Sequence, residues 1–162
     1  MIERVHYRNA LPGDAADQAE VFHHAVMQGA AGHYSLAQRE AWACALPREA
    51  SAWVVRQTLY PTLVAACDGR CVGFVERDVQ AGRIETLYVW PSLARRGIGS
   101  QLLEYAELAM RDQDIDVLRI EASLMLARGL ESRGWKRLGD EWVERQGECL
   151  ARVRLEKRLD NA

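Results

Sequence analysis

The chain has 162 residues, 49% hydrophobic and 27% charged, with 21 Lys and Arg against 23 Asp and Glu for a formal net charge of -2. A length inside the usual ~100–200 residues per domain makes one domain over residues 1–162 the expectation, and such a domain buries roughly 70% of its unfolded surface without needing a disulfide or metal. The near-neutral balance disfavours a general nucleic-acid surface, and no stretch approaches the ~18 apolar residues of a membrane span. The start, Met1-Ile2-Glu3-Arg4-Val5, lacks the apolar core and cleavage site of a signal peptide, so a cytoplasmic setting is expected. There, Cys44, Cys67, Cys71 and Cys149 stay thiols.

In chain order, residues 2–8 alternate weakly and read as a first strand. From Asp14 the apolar residues Ala15, Ala19, Phe22, Val26 and Met27 recur at near-helical spacing until Gly29. Ser35-Leu36-Ala37-Gln38 is a capping box that starts a second helix, closed by Pro47, and a short helix or turn is expected over Arg48 to Arg56. Residues 62–67 and 71–76 flank Asp68-Gly69-Arg70 as an antiparallel hairpin, which makes Cys67 and Cys71 half-buried strand thiols rather than a metal or redox pair. Residues 84–90 form a strand stopped by Pro91, Ile98 to Asp112 a helix with Leu102, Leu103, Tyr105, Ala106 and Ala109 inward, and residues 116–122 a buried strand. A helix then runs to Arg133 before Gly134, and the tail alternates as two closing strands. A helix joining the 84–90 and 117–122 strands implies a parallel pair inside a mostly antiparallel sheet. The fold class is therefore α/β (α+β), with about six to seven strands and about four helices.

The chemistry concentrates in the turn Arg95-Arg96-Gly97-Ile98-Gly99-Ser100 between strand and helix. Glycines let backbone approach a ligand, the unpaired N–H groups of a helix start favour an anion, and two arginines add countercharge, which together suit a pyrophosphate. A glycine-rich helix start that merely packs on a strand is the competing reading. Leu102 stands where a dinucleotide fingerprint needs its third glycine, and a Walker lysine-serine pair is absent. Cys67 and Cys149 have no glycine elbow or neighbouring histidine, His23 and His24 lie on an amphipathic helix, and no metal constellation is visible.

Leu87-Tyr88-Val89-Trp90-Pro91 followed by Ala94-Arg95-Arg96-Gly97-Ile98-Gly99-Ser100-Gln101-Leu102-Leu103 resembles the acetyl-CoA motif of the GCN5-related N-acetyltransferases, Gln/Arg-x-x-Gly-x-Gly/Ala. The resemblance continues through Glu121-Ala122-Ser123 and Glu131-Ser132-Arg133-Gly134-Trp135, while His33-Tyr34-Ser35 and Ala41-Trp42 resemble a bacterial branch of the family. It departs at Ala94, in the Gln/Arg position, and at Met125 and Leu130, where the family often has an asparagine and a tyrosine, the latter being its usual general acid.

The resemblance implies transfer of an acetyl group from acetyl-CoA to a primary amine, of a small molecule or a protein, by direct attack in a ternary complex. It places the cofactor on Leu87, Tyr88, Val89, Arg95, Arg96, Gly97, Ile98, Gly99 and Ser100, with backbone of Leu87 and Val89 on the pantetheine arm and the Val89 N–H polarising the thioester. Glu85 is the candidate base, because an ammonium of pKa ~10.4 must lose its proton before attack, and the alternative for it is a solvated glutamate or a partner of Arg83 or Arg119. Ser123 or Tyr88 would donate to the leaving thiolate, a tolerable leaving group at a thiol pKa of ~8.5. His33, Tyr34, Trp42 and Trp53 fall in the helical region over the acceptor cleft, although both tryptophans could instead simply pack helices on the sheet. A homodimer is possible by analogy. A catalytically weak or inactive acetyl-CoA-binding or regulatory module is the alternative, motivated by Met125 and Leu130.

Overall fold

The computed structural model describes residues 4–159; Ile2, in the expected first strand, lies outside them. The chain runs β1 (Val5–Asn9), α1 (Ala15–His24), a wide π turn over Ala25–Gly29, α2 (Leu36–Ala43), α3 (Ala50–Leu59), β2 (Thr62–Cys67), β3 (Arg70–Asp78) and β4 (Arg83–Val89). It continues with α4 (Ile98–Asp112), β5 (Val117–Ser123), α5 (Leu124–Glu131), β6 (Lys136–Arg145) and β7 (Glu148–Arg158). The seven strands form one sheet in the order β1-β2-β3-β4-β5-β7-β6. Every pairing is antiparallel except β4 with β5, as the intervening α4 requires.

Strand alternation sends side chains to both faces, and each face has its own core. Val64 and Phe74 face Phe22 of α1 and Trp53 of α3, whereas Ala65 and Val75 face Ile98 and Leu102 of α4. Trp53 is fully buried with its indole N–H donating to Pro47 O at 2.8 Å, so it packs α3 on the sheet and does not reach the acceptor cleft. On α4 the buried set is Ile98, Leu102, Leu103, Ala106 and Met110, each large side chain worth about 1.5–3 kcal/mol. Tyr105 corrects the expected inward stripe: it is 42% exposed, because the 3.6-residue period brings Met110 under the sheet and leaves Tyr105 at the flank against Tyr7, 5.4 Å away.

The capping box forms as expected, with Gln38 N–H donating to Ser35 Oγ at 3.1 Å and Ser35 N–H to Gln38 Oε1 at 2.9 Å. Of the short helix or turn expected over Arg48 to Arg56, the helix forms, as Ala50–Leu59, ending three residues later than expected where Tyr60 turns extended before Pro61. Cys67 is half-buried, whereas Cys71 is more enclosed than expected, at 4% exposure. Burial pushes its thiol up to about 12, which makes it a poor nucleophile.

Candidate active site

Two interruptions of the sheet build the site. The first is a bulge: Glu76 pairs with Thr86 but the next residue, Arg77, pairs with Ile84, so Glu85 is the extra residue of β4. A bulge re-aims the side chain it carries. The second is a splay. The parallel ladder of β4 and β5 holds only Arg83 to Arg119 and Ile84 to Ile120, after which the strands diverge. Trp90 N–H donates to Val72 O of β3 at 2.8 Å. Two-residue alternation therefore turns the N–H groups of Leu87 and Val89 the other way, into the gap that β5 has left.

Two cavities open on this gap and share Leu87, Tyr88 and Leu126. One, of about 330 Å³, runs from the junction to the start of α4, walled by Val89, Leu103, Met125 and Leu130 and ending at Arg95, Gly97, Gly99, Ser100 and Arg133. Gly97 is the N-cap of α4 with φ 88 and no side-chain cap, and Arg95 also has positive φ, at 63. The first N–H groups of α4 have no partner inside the helix, and glycine at 97 is required by its left-handed backbone. Gly99 lies against β4, where a Cβ would stand in ordinary contact with Val89 Cγ2, at 3.6 Å. An apolar tube ending in a bare, arginine-flanked helix start fits a pantetheine arm and pyrophosphate.

The proposed cofactor residues divide accordingly. Leu87, Tyr88, Val89, Arg95, Gly97, Gly99 and Ser100 line this cavity; Arg96 does not, and Ile98 turns into the core under β3 at 3% exposure. Arg133, after α5, escaped sequence reasoning because its closeness to the turn is purely tertiary. His33, expected beside Tyr34 and Trp42, borders this cavity together with Gly29 and Met125, whereas Tyr34 and Trp42 border the other.

The other cavity, of about 270 Å³, is lined by Glu85 and Thr86 of β4, Glu121 and Ser123 of β5, Arg145 and Arg152 of the final hairpin, and the rings of Tyr34 and Trp42. Glu85 is held by Arg83, whose Nη2 lies 3.0 Å from its carboxylate, and Arg83 also reaches Asp78 at 3.5 Å and Glu121 at 3.7 Å. The sequence alternatives of cavity residue and Arg83 partner are thus both realised. Tyr34 lines the cavity, but its hydroxyl is committed, accepting from Leu124 N–H at 2.9 Å and donating to Ala151 O at 2.6 Å. Ser123 Oγ is buried without a hydrogen-bond partner. Tyr88 stands at the junction in an aromatic cluster with Phe22, Trp42 and Phe74. Burial raises its phenol well above the ordinary range, with a Trp42 hydrogen bond offsetting part of that, so it stays protonated.

Behind β4, Glu76 is fully buried and takes two hydrogen bonds from Arg56, at 2.6 and 3.0 Å, and one from Thr86 at 2.7 Å. This pair anchors the strand beside the bulge. Among the described residues no cluster of three or more ligating side chains could hold a metal, and no helix is long and apolar enough to cross a membrane.

A seven-stranded sheet split at its parallel pair, with a glycine turn at the mouth of the split, is the architecture of an acyl-CoA-type transferase. The family model of the acetyltransferase (GNAT) domain matches residues 16–156, and the chain belongs to that family. It is 30% identical over 146 residues to the uncharacterized N-acetyltransferase YafP of Escherichia coli (strain K12), covering 90% of this chain and 91% of that protein. A GCN5-related N-acetyltransferase structure from Rhodopseudomonas palustris superposes with a TM-score of 0.88 at 30% identity over 98% of both chains. The PaiA N-acetyltransferase of Thermoplasma acidophilum, solved in complex with coenzyme A, shares the fold at a TM-score of 0.74, with 22% identity over 96% of this chain and 99% of that one.

Proposed function

We propose that the protein transfers an acetyl group from acetyl-CoA to a primary amine by direct attack in a ternary complex. The observation that carries this reading is the junction of two cavities over Leu87 and Tyr88, one ending at a pyrophosphate-type cradle and the other carrying a bulged carboxylate. When bound, acetyl-CoA supplies an activated thioester with a thiolate leaving group. Arg95, Gly97, Gly99, Ser100 and Arg133 would hold its phosphates, and the apolar wall would exclude water from the arm.

Glu85 takes the proton of the incoming ammonium, directly or through one water. Without a base, an amine of pKa ~10.4 is less than about 0.1% neutral at pH 7. The gap-facing Val89 N–H serves as the oxyanion donor, a role that needs no particular side chain. Tyr88, at the junction, is better sited than Ser123 to donate a hydrogen bond to the leaving sulfur, because Ser123 borders only the acceptor cavity; its raised pKa makes the phenol a hydrogen-bond donor rather than a proton source, and a thiolate of thiol pKa ~8.5 can leave without being protonated.

Calorimetric titration with acetyl-CoA tests the cradle, with micromolar binding expected in the wild type and none in Gly97→Asp, whose added charge sits at the helix start on a φ of 88. Glu85→Gln should lower kcat by about 10²–10⁴-fold at pH 7, the deficit shrinking toward pH 10 where roughly a quarter to a third of the amine is already neutral. Unchanged turnover in Glu85→Gln would remove the base from this carboxylate, and no acetyl-CoA binding by the wild type would sink the assignment.

A further inference from the structure

The acceptor cavity has a charge pattern that the transfer reaction by itself does not require. Its carboxylates, Glu85 and Glu121, are on β4 and β5, and its remaining cations are on the final hairpin, on β6 and β7. The strand order β4-β5-β7-β6 therefore puts negative charge on one wall and positive charge on the opposite wall. Most of that charge is already paired. Arg83 is shared by Asp78, Glu85 and Glu121, and Arg152 donates to Glu141 at 2.7 Å. Arg145 is different. Among the described residues its guanidinium donates only to the neighbouring carbonyl of Glu144, at 2.9 Å, and has no carboxylate within ion-pair distance, Glu148 opposite it in the hairpin register included.

A half-buried arginine whose guanidinium N–H groups are mostly uncommitted in a ligand cavity is suited to bidentate recognition of a carboxylate. The second polar vacancy in the same cavity is the Ser123 hydroxyl, buried and without a partner. Pockets for drug-sized ligands occupy about 300–1,000 Å³, and the acceptor side, at about 270 Å³, encloses room for a group of amino-acid size.

We infer that the acceptor is a small amine that also carries a carboxylate, of the amino-acid type. Its ammonium faces Glu85 and Glu121 and its carboxylate is held by Arg145, with the Ser123 hydroxyl available to either. This rests on the acetyl-transfer reading above and names the substrate class for it. The charge arrangement aligns the amine on the Glu85 side, where the β4 bulge and the gap lie, and so supplies orientation as well as affinity.

The test is release of free CoA from acetyl-CoA with matched amines: alanine, methionine, phenylalanine and lysine against ethylamine, 3-(methylthio)propylamine, phenethylamine and cadaverine. The expected result is a kcat/KM at least tenfold higher for one or more of the amino acids than for its decarboxylated counterpart. Arg145→Gln should raise KM for that amino acid about ten- to hundredfold, the loss of one charge-assisted contact, with kcat nearly kept and the plain amine unaffected. Arg145→Lys should recover part of the effect. Arg145 is next to the hairpin turn at Gln146 and Gly147, so neither variant disturbs the core, and matched thermal unfolding checks this. Turnover of plain amines at least as fast as amino acids, or an Arg145→Gln effect equal on both members of a pair, overturns the inference while leaving acetyl transfer standing. Acetyl-CoA binding with no turnover of any amine overturns both.

Discussion

Replacing Arg56 with leucine isolates the charged anchor behind β4. Glu76 is 0% exposed and the Arg56 side chain only 17%, and the guanidinium also stands 5.3 Å from the ring centroids of both Trp53 and Tyr60. Arg56→Leu would leave a fully buried carboxylate with Thr86 as its remaining side-chain donor. Removing one partner of a buried pair costs about 3–5 kcal/mol, because the surviving charge keeps its desolvation cost and loses its compensation. For a domain of this size one kcal/mol moves the melting temperature about 2–4 °C, so the expected drop is about 6–20 °C. Removing both charges, as Arg56→Met with Glu76→Met, should recover most of that loss, since an apolar pair of similar volume carries no orphaned charge. Urea unfolding at pH 7 on the wild type, the single and the double variant measures this directly. A single-variant loss below about 1 kcal/mol, or a double variant no more stable than the single one, would refute the account of the pair.

Other outcomes follow from the same structure. Asp14 accepts from Arg8 at 2.7 and 3.0 Å and from Leu11 N–H at 2.8 Å; burial pushes its pKa up, but these bonds outweigh it and the net direction is down. Its contribution is therefore present above the unfolded carboxylate pKa of ~3.9 and lost as pH falls through the lower folded value. Asp14→Asn should destabilise at pH 7 with a deficit that narrows in acid, and urea midpoints at pH 7 and pH 3 read the difference; a pH-independent deficit contradicts it. Gly73→Ala should cost about 1–3 kcal/mol by thermal unfolding, because a Cβ there would meet Tyr88 O at 3.2 Å and Ile98 Cγ2 and Leu102 Cδ1 at 3.3 Å. With a thiol-specific disulfide reagent at pH 8, exposed Cys44 and Cys149 should react at once and Cys71 only on unfolding. Rapid labelling of Cys71 would show that the β2–β3 face opens.

Much of this architecture was legible because it depends on neighbours in the chain. The hairpin at Asp68-Gly69, the capping box at Ser35 and the glycine turn before α4 are local chemistry, set by positive φ, side-chain caps and unpaired helix N–H groups over four to six residues. The parallel pair followed from connectivity alone, since a strand, a helix and a strand leave few other ways to pack. Such signals also carried the resemblance to the acetyltransferase family, and with it Glu85 and the cofactor turn.

What depended on distant contacts was not legible. Glu85 as a candidate could be read from position, but its placement by a bulge could not, because a bulge is a mismatch of register between two strands and neither strand states it alone. Trp53 and Tyr34 read as possible acceptor contacts; the folded chain spends the first on packing α3 and the hydroxyl of the second on bridging α5 and β7. Arg133 joins the cavity that ends at the start of α4, and Arg145 the cavity that holds Glu85, from segments far along the chain. The sequence by itself determined the order of elements and the presence of a basic glycine turn at a helix start, because backbone propensity and hydrophobic period act over short range. Only the tertiary structure decided where the sheet splits and which charges remain unpaired beside the split, because those follow from strands and side chains meeting across roughly 35 to 60 residues of intervening chain.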